Sequence, residues 1–257
     1  MKTEKRYLVR FLYALIGNVI LAMGAAMLAA AALGADLYTG QIRPVANLLG
    51  MPMGFYQMLF SIVLGAIIYL LNRKLFGAGS LINIFLVGFF ISFFIDKFGA
   101  LHEVFSFVHL FTIDLPFVTY DVMLGELLLI LLAMIIYSLG ISMYANSDMG
   151  AGPYDGLGPL LVSKTGWGFV KCRMLADGLF LMLCIIFGYI AFERFGMIDP
   201  NLSYLNSFLV GPSTIIAALC LGPFINFWTK YFTIPSLRFF GYDLEKANQH
   251  AEKNKKK

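Results

Sequence analysis

Six apolar stretches, separated by shorter polar segments, run along the chain. They cover residues 8–33, 55–72, 81–98, 122–145, 174–193 and 208–228. Each has, or nearly has, the roughly 20 apolar residues that a helix needs to cross a bilayer. Residues 103–120 are also rich in Phe, Val and Leu, but they include Glu103 and Asp114, so we interpret them as a loop segment at the membrane interface. The pattern therefore predicts an all-α, polytopic membrane protein with six transmembrane helices.

Basic residues predict the orientation of these helices. With the N-terminus in the cytoplasm and six crossings, every Lys and Arg lies in a cytoplasmic segment except Arg43, Lys97 and Arg194. Such an excess of Lys and Arg in cytoplasmic segments is the usual rule for membrane proteins. The first apolar stretch is too long for a signal peptide, so we expect it to stay as a helix. We therefore predict a multi-pass protein of the plasma membrane with both termini in the cytoplasm.

Composition agrees with a chain that is surrounded by lipid. It is 60% hydrophobic and 13% charged, whereas soluble domains have about 45–50% apolar and about 25% charged residues. The net charge of +4 is concentrated in the two tails, and beside apolar spans such tails are topology signals and not a nucleic-acid site. The three histidines have no metal-ligand spacing, and no nucleotide-binding or hydrolase motif occurs. We therefore expect no enzyme activity, no cofactor and no metal.

Two segments of the first half recur, in the same order, in the second half. Residues 24–40 read GAAMLAAAALGADLYTG and match residues 140–156, GISMYANSDMGAGPYDG. Residues 86–96 read LVGFFISFFID and match residues 220–230, CLGPFINFWTK. Two matches in one order indicate a duplication. The identical pairs include Gly24 with Gly140, Gly34 with Gly150, Ala35 with Ala151, Tyr38 with Tyr154, Gly40 with Gly156 and Gly88 with Gly222.

The duplication predicts how the chain is organised. Each half has three spans, an odd number, so the second half must enter the membrane from the opposite side. The prediction is two inverted three-helix repeats, a plan that many secondary transporters share. The predicted parts are a first repeat at 1–99, an external connecting loop at 100–121, a second repeat at 122–230 and a basic cytoplasmic tail at 231–257.

Segments rich in glycine and proline follow the first helix of each half. Residues 34–40 and 150–156 each lead into a mildly apolar stretch, at 40–53 and 156–168, that is too short to cross. Irregular backbone at membrane depth needs surrounding protein or a water-filled cavity, and such segments at matching positions point to a transporter site. Freed amides at a half-helix N-terminus would hold an anion, whereas an aspartate there would take a cation or a proton. The alternative is an ordinary turn that leads to a helix lying on the membrane surface.

Asp177 lies inside the fifth apolar stretch, four residues after Arg173. This spacing allows the two side chains to pair on one helix face. An acid within a span is by default a functional candidate, although Arg173 could instead merely neutralise it near the interface. Other polar residues in the spans either line a cavity or join helices by hydrogen bonds; they are Asn18, Gln57, Ser61, Asn83, Ser92 and Asn226. The predicted substrate-binding residues are Asp36, Tyr38, Thr39, Gly152, Tyr154, Asp155, Arg173 and Asp177.

The sequence GAGPYDGL at residues 150–157, with its echo in the first half, resembles the YczE/YyaS/YitT family of bacterial membrane proteins. The resemblance extends over most of residues 8–230 and is greatest for the YczE-like branch. YitT-type members with a folded cytoplasmic domain after the last span differ, because only a short tail follows Lys230 here. The resemblance implies a bacterial plasma-membrane protein that is often presumed to be a transporter. It implies no settled substrate and no catalytic residues.

Three hypotheses about function follow. The first is a small transporter or permease for an unidentified small molecule or ion, with a site between the repeats and with Asp155 and Asp177 as binding acids. The second is a membrane-embedded substrate-binding subunit that needs a partner membrane subunit, such as an energising ATPase, or a homo-oligomer. The third is a non-transporting regulatory or assembly protein whose polar residues only pack helices. Asp177 argues against the third, because it is more polar than packing requires.

Overall fold

The structure is a computed structural model that describes residues 2–31, 33–105, 108–115, 118–195 and 212–242. Most of these residues are helical. The helices in the described ranges are α1 (Lys2–Ala30), α2 (Leu37–Leu48), α3 (Met53–Leu71), α4 (Ala78–Ile82), α5 (Gly88–Phe105), α6 (Leu124–Ala145), α7 (Leu157–Thr165), α8 (Phe169–Phe195), α9 (Pro212–Trp228) and α10 (Ile234–Phe239). Two π-helical turns, Asn83–Val87 and Thr229–Thr233, join α4 to α5 and α9 to α10.

Among the described residues, five helical segments are long and apolar enough to cross a bilayer. They are Arg6–Ala30, Met53–Leu71, Ala78–Ile95, Leu124–Ala145 and Lys171–Ile190. These correspond to the first five predicted stretches, so the membrane class of the protein is confirmed. The sixth predicted stretch begins at residue 208, outside the described residues, and its described part is the 17-residue helix α9.

A β-hairpin stands where the sequence predicted an irregular interfacial loop. Strand β1 (His109–Leu115) pairs antiparallel with β2 (Val118–Met123), and Ile113 faces Tyr120 across the pair. The all-α prediction is wrong here, as is a loop over 103–120, because α5 runs to Phe105. The physical reason is that the segment alternates polar residues with β-branched and aromatic ones, which suits the two-residue period of a strand.

Helices α1 and α6, which the sequence repeat pairs, cross in backbone contact at the centre of the fold. A Cβ atom at Gly24 would lie 2.4 Å from the backbone nitrogen of Tyr137, and one at Gly140 would lie 2.2 Å from that of Leu21. Small residues allow this close approach between membrane helices. The sequence offset of the repeat, which pairs Gly24 with Gly140, also pairs Leu21 with Tyr137. The two contacts are therefore at equivalent positions of the two halves.

The third long helix of each half begins against the glycine-rich segment of the other half. The amide of Gly79 donates to the Met149 carbonyl at 2.7 Å, and the amide of Ser213 donates to the Leu33 carbonyl at 3.0 Å. One residue later, the hydroxyls of Ser80 and Thr214 donate to the carbonyls of Ala151 and Ala35, each at 2.6 Å. Gly34 and Gly150, which the repeat also pairs, have φ angles of 110° and 101°, a backbone region that favours glycine.

The two short helices that follow these segments differ in burial. Residues 38–46 of α2, Arg43 included, are buried, and α2 packs against α8 and α3. Thus α2 lies within the helical body and not on its surface. In α7 only Gly158 and Leu160 are buried, and the helix ends at Gly166, which is left-handed with φ 71°. Access to the interior is therefore more open beside α7 than beside α2.

The chain after Trp228 folds back onto α1 and α6. Leu237 and Tyr242 are buried in a cluster with Tyr13 and Met143. Part of the segment predicted as a tail is therefore packed against the helices. Residues 243–257, which carry the basic C-terminal run, lie outside the described residues.

Candidate functional site

A cavity of about 890 Å³ lies between α6, α8, α9 and the segments that follow α1 and α6. Lys74 and Asp148 are exposed and form its mouth, whereas Asp36 and Thr214 are buried at its inner end. Pockets that bind small molecules typically measure about 300–1,000 Å³. The cavity is therefore large enough for a small organic molecule.

Arg173 of α8 holds two carboxylates on the wall of this cavity. Its Nη1 lies 3.2 Å from an oxygen of Asp155, and its Nε lies 3.0 Å from one of Asp177. Its guanidinium carbon also lies 4.5 Å from the centre of the Tyr154 ring, a cation–π contact. The pairing of Arg173 with Asp177 is as the spacing predicted, and Asp155 joins it from the glycine-rich segment. All three charged side chains keep about 30% of their surface exposed.

Two tyrosine hydroxyls complete the cluster. Tyr154 donates to Asp177 at 2.5 Å, and Tyr144 of α6 donates to Asp155. Each carboxylate therefore accepts from the guanidinium and from one tyrosine. These contacts fix both acids in place.

Tyrosines from both halves meet beside the middle of α8. The rings of Tyr38 and Tyr154 stack with their centres 5.4 Å apart. Both also contact Phe180, at 5.9 Å and 4.9 Å, and Phe180 lies near the middle of the span Lys171–Ile190. The Cys184 thiol, one turn further along, donates to the Leu37 carbonyl at 3.2 Å. Both glycine-rich segments thus reach the middle of a spanning helix.

The first half carries a neutral counterpart of the charged cluster. The sequence offset of the repeat, which pairs Tyr38 with Tyr154, also pairs Ser61 with Asp177. The Tyr38 and Ser61 hydroxyls lie 2.5 Å apart. It also pairs Gln57 with Arg173 and Thr39 with Asp155. Gln57 and Thr39 are 2% and 1% exposed. In the described part of the chain, the Gln57 amide oxygen and the Thr39 hydroxyl have no hydrogen-bond partner.

Asp36 caps the N-terminus of α2 and also lines the cavity. One carboxylate oxygen accepts from the amides of Tyr38 and Thr39, at 3.2 Å and 3.1 Å. The other oxygen has no hydrogen-bond partner among the described residues. The side chain is 6% exposed, and burial raises the pKa of the carboxyl above its ordinary value.

The structure brings most of the predicted site residues together. Those that line the cavity are Asp36, Tyr154, Asp155, Arg173 and Asp177. Tyr38 and Thr39 are buried beside them and do not line it. Gly152 does not line it either: a Cβ atom there would lie 2.9 Å from the side chain of Asn83, which donates to Asn18 at 2.7 Å.

Sequence reasoning missed the tyrosines of α6. Tyr137 and Tyr144 line the cavity from inside a long apolar helix, where nothing in the local pattern distinguishes them from packing aromatics. The side chains of Asn18 and Asn83 join helices by a hydrogen bond, which is one of the two roles predicted for polar residues in the spans. Ser61 and Gln57 were recognised as polar, and the repeat offset, extended to α3 and α8, is the signal that would have placed them opposite Asp177 and Arg173.

A second polar cluster holds the mouth of the cavity. Arg10 pairs with Asp148 at 2.9 Å, and the Tyr242 hydroxyl donates to the same carboxylate oxygen at 2.9 Å. Burial and this carboxylate together raise the pKa of Tyr242 to about 12. The contacts connect α1, the segment after α6 and the segment after α10, so they stabilise the mouth and not its inner end.

Comparison with known proteins gives one relative and one family. The chain is 26% identical over 229 residues to the uncharacterized membrane protein YczE of Bacillus subtilis (strain 168), with 87% of each chain covered. This confirms the resemblance to YczE-like proteins. No solved structure is significantly similar to the chain. Residues 8–230 match a family of unknown function, DUF6198, and the chain belongs to that family.

Proposed function

We propose that the protein is a small-solute transporter of the bacterial plasma membrane, with a substrate site between two inverted three-helix repeats. The observation that carries this proposal is the cluster of Arg173, Asp155 and Asp177, which faces a cavity. Charged residues within membrane spans are costly, and they typically mark a substrate or ion pathway. The protein binds and moves its solute without changing it chemically.

The matched contacts support the inverted repeat. Gly79 and Ser213 make one equivalent pair of hydrogen bonds, and Ser80 and Thr214 make another. Each contact joins one half to the other, as a twofold axis in the membrane plane requires. In transporters of this plan the substrate site lies at the repeat interface near the bilayer midplane. The stacked pair of Tyr38 and Tyr154 would lie on that axis.

The proposed topology adds α9 as a sixth span, with both termini in the cytoplasm. Its 17 described residues measure about 26 Å at about 1.5 Å per residue, close to the hydrocarbon thickness of a bilayer. The mouth of the cavity then faces the cytoplasm, because Lys74 and Asp148 lie in predicted cytoplasmic segments. The hairpin of β1 and β2 faces the outside.

The unequal burial of α2 and α7 supports a transport cycle. Because α2 is buried and α7 is half-exposed, the cavity is closed beside α2 and open beside α7. Inverted repeats that exchange these two conformations would close the mouth and open the opposite side. The structure then represents an inward-open state.

The test is uptake into liposomes that contain the purified protein. The labelled solutes would be amino acids, organic anions, amines and nucleosides, each measured with wild type, Asp177→Asn and protein-free liposomes. Asn keeps the shape of the side chain and removes its charge. We expect one class to enter wild-type liposomes and to lose about tenfold or more of its rate in Asp177→Asn.

Uptake that never exceeds that of protein-free liposomes would contradict the proposal. A second chain that copurifies in fixed ratio would then favour the partner-dependent subunit.

Topology has its own test in a background without Cys172, Cys184 and Cys220. An impermeant maleimide should label Thr112→Cys on intact cells and Lys74→Cys only after permeabilisation, and the reverse result would invert the orientation.

A further inference from the structure

We propose that the cavity binds a small organic cation, whose ammonium group pairs with Asp36 and whose apolar body lies against tyrosine rings. The inference rests on the proposed function, since it names the substrate class of the same site.

Asp36 is a buried acid on the cavity wall. It is 6% exposed, lines the cavity and keeps one carboxylate oxygen without a hydrogen-bond partner among the described residues. A buried carboxylate oxygen without a donor is costly. An ammonium group of a ligand would supply both the missing donor and the opposite charge.

Negative charges outnumber positive ones in the inner cavity. Three carboxylates, those of Asp36, Asp155 and Asp177, line the inner cavity beside one guanidinium. Arg173 is already bound by two of these carboxylates and by the Tyr154 ring. Its remaining attraction for an anionic ligand is therefore weak, and the inner cavity favours a cation.

Several hydrogen-bond donors on the wall are also in use. Tyr144 and Tyr154 donate to Asp155 and Asp177, and the Thr214 hydroxyl donates to the Ala35 carbonyl. The amides of Tyr38 and Thr39 at the N-terminus of α2 both donate to Asp36, which weakens that helix end as an anion site. Since acceptors of a ligand would have to compete for these donors, a ligand with donors of its own fits this part of the wall better.

Aromatic rings line the cavity as well. Tyr137 and Tyr144 line it together with Asp36, and the Tyr154 ring lies under the guanidinium of Arg173. Aromatic faces attract organic cations through the ring quadrupole and also cover an apolar body. A small hydrated metal ion would gain little from them, so the cavity is better suited to an amine with hydrocarbon substituents.

Three probes of one size test this on purified wild-type protein near neutral pH. Benzylammonium, benzoate and benzyl alcohol carry a positive, a negative and no charge on the same ring. A ligand that binds the folded state raises its unfolding temperature. We expect benzylammonium alone to raise it, and the comparison needs no variant.

Asp36→Asn and Asp148→Asn form the matched pair of variants. Asn also caps helices well, so Asp36→Asn keeps the cap of α2 and removes its charge. We expect the affinity for benzylammonium to fall about tenfold or more in Asp36→Asn and to change little in Asp148→Asn at the mouth. Affinity that is unchanged in Asp36→Asn would overturn the inference.

Failure of the inference can be distinguished from failure of the proposed function. Stabilisation by benzoate that Arg173→Gln removes would overturn the cation assignment and leave a solute site in place. No stabilisation by any of the three probes would also overturn it. Binding of benzylammonium without uptake of any amine would leave the cation site standing and contradict the transporter.

Discussion

The two halves of the protein build the same tyrosine contact with different chemistry. In the first half Tyr38 bonds to Ser61, and the adjacent Gln57 and Thr39 are neutral and almost fully buried. In the second half Tyr154 bonds to Asp177, and the residues at the matching positions are charged and about 30% exposed. The same backbone arrangement thus carries a buried neutral site in the first half and a partly exposed charged site in the second.

This difference follows the accessibility of each half. Charges cost least where water reaches them, and the three charged residues line the cavity whereas their three neutral counterparts do not. The neutral residues lie where α2 is packed against α8 and α3. The neutral set of the first half is therefore packed into protein, whereas the charged set of the second half faces the cavity.

The largest expected effect comes from moving the charges into the first half. The triple variant Thr39→Asp, Gln57→Arg, Ser61→Asp copies the second-half residues into a buried position. Desolvation of charges there should destabilise the protein by about 3 kcal/mol or more, so we expect no monodisperse peak in size-exclusion chromatography. A triple variant that unfolds at the wild-type temperature would show that accessibility does not explain the difference between the halves.

The reverse exchange should preserve folding and remove function. The variant Asp155→Thr, Arg173→Gln, Asp177→Ser gives the second half the neutral residues of the first. Removing all partners together leaves no unpaired charge, so the unfolding free energy should change by less than about 2 kcal/mol. Uptake into liposomes should fall to the level of protein-free liposomes. Retained uptake by the folded variant would exclude the cluster from transport.

A pair of equivalent glycines tests how tightly each half is closed. A Cβ atom at Gly88 would lie 2.7 Å from the Gly54 carbonyl, whereas one at Gly222 meets nothing within 4 Å and points into open space. Gly88→Leu should therefore destabilise the protein by about 3 kcal/mol, as overpacking does, and Gly222→Leu by much less. Because Gly222 lines the cavity, its variant should fold but take up solute more slowly. Equal unfolding temperatures for the two variants would contradict the comparison.

Acid should weaken binding of the proposed cation through Asp36. Burial raises the pKa of this carboxyl, so it takes up a proton on acidification before an ordinary aspartate would, and it then no longer attracts an ammonium group. The negative charge of Asp155 also raises this pKa, whereas the Thr39 hydroxyl and the amides of Thr39 and Tyr38 lower it. Benzylammonium affinity should fall several-fold on acidification, and this fall should be smaller in Asp36→Asn. An identical pH profile in both proteins would exclude Asp36.

Much of the fold follows from the sequence because lipid imposes simple requirements on a chain. A span needs about 20 apolar residues, and this requirement alone predicts the helices that contain Arg6–Ala30 and Leu124–Ala145. The hairpin over β1 and β2 was missed because its apolar residues were interpreted as an interfacial loop. Its alternation with polar residues was the better signal.

The site was only partly predictable for a different reason. Asp177 was recognised because an acid in a span stands out, and Arg173 because it lies one turn away on the same helix. The contribution of Tyr144 depends on the crossing of α1 and α6, which brings its hydroxyl to Asp155. A tyrosine in an apolar helix has no local feature that reports such a contact. The neutral counterpart Gln57 likewise gains its meaning only when α3 is compared with α8.

The smallest expected effect lies in contacts that the two halves share. The Ser80 and Thr214 hydroxyls each donate to a carbonyl of the opposite half at 2.6 Å. Ser80 also accepts from the Gly77 amide at 3.1 Å. Ser80→Ala and Thr214→Val should each cost about 1–2 kcal/mol, at the usual net value of about 1 kcal/mol per hydrogen bond, and should lower the unfolding temperature by similar amounts. Ser163→Ala, which removes a hydroxyl bonded within α7, is the matched control and should cost less. Equal losses at Ser80 and Thr214 would fit one interface used twice, whereas a large loss at one and none at the other would argue that the matched contacts do not act as equivalents.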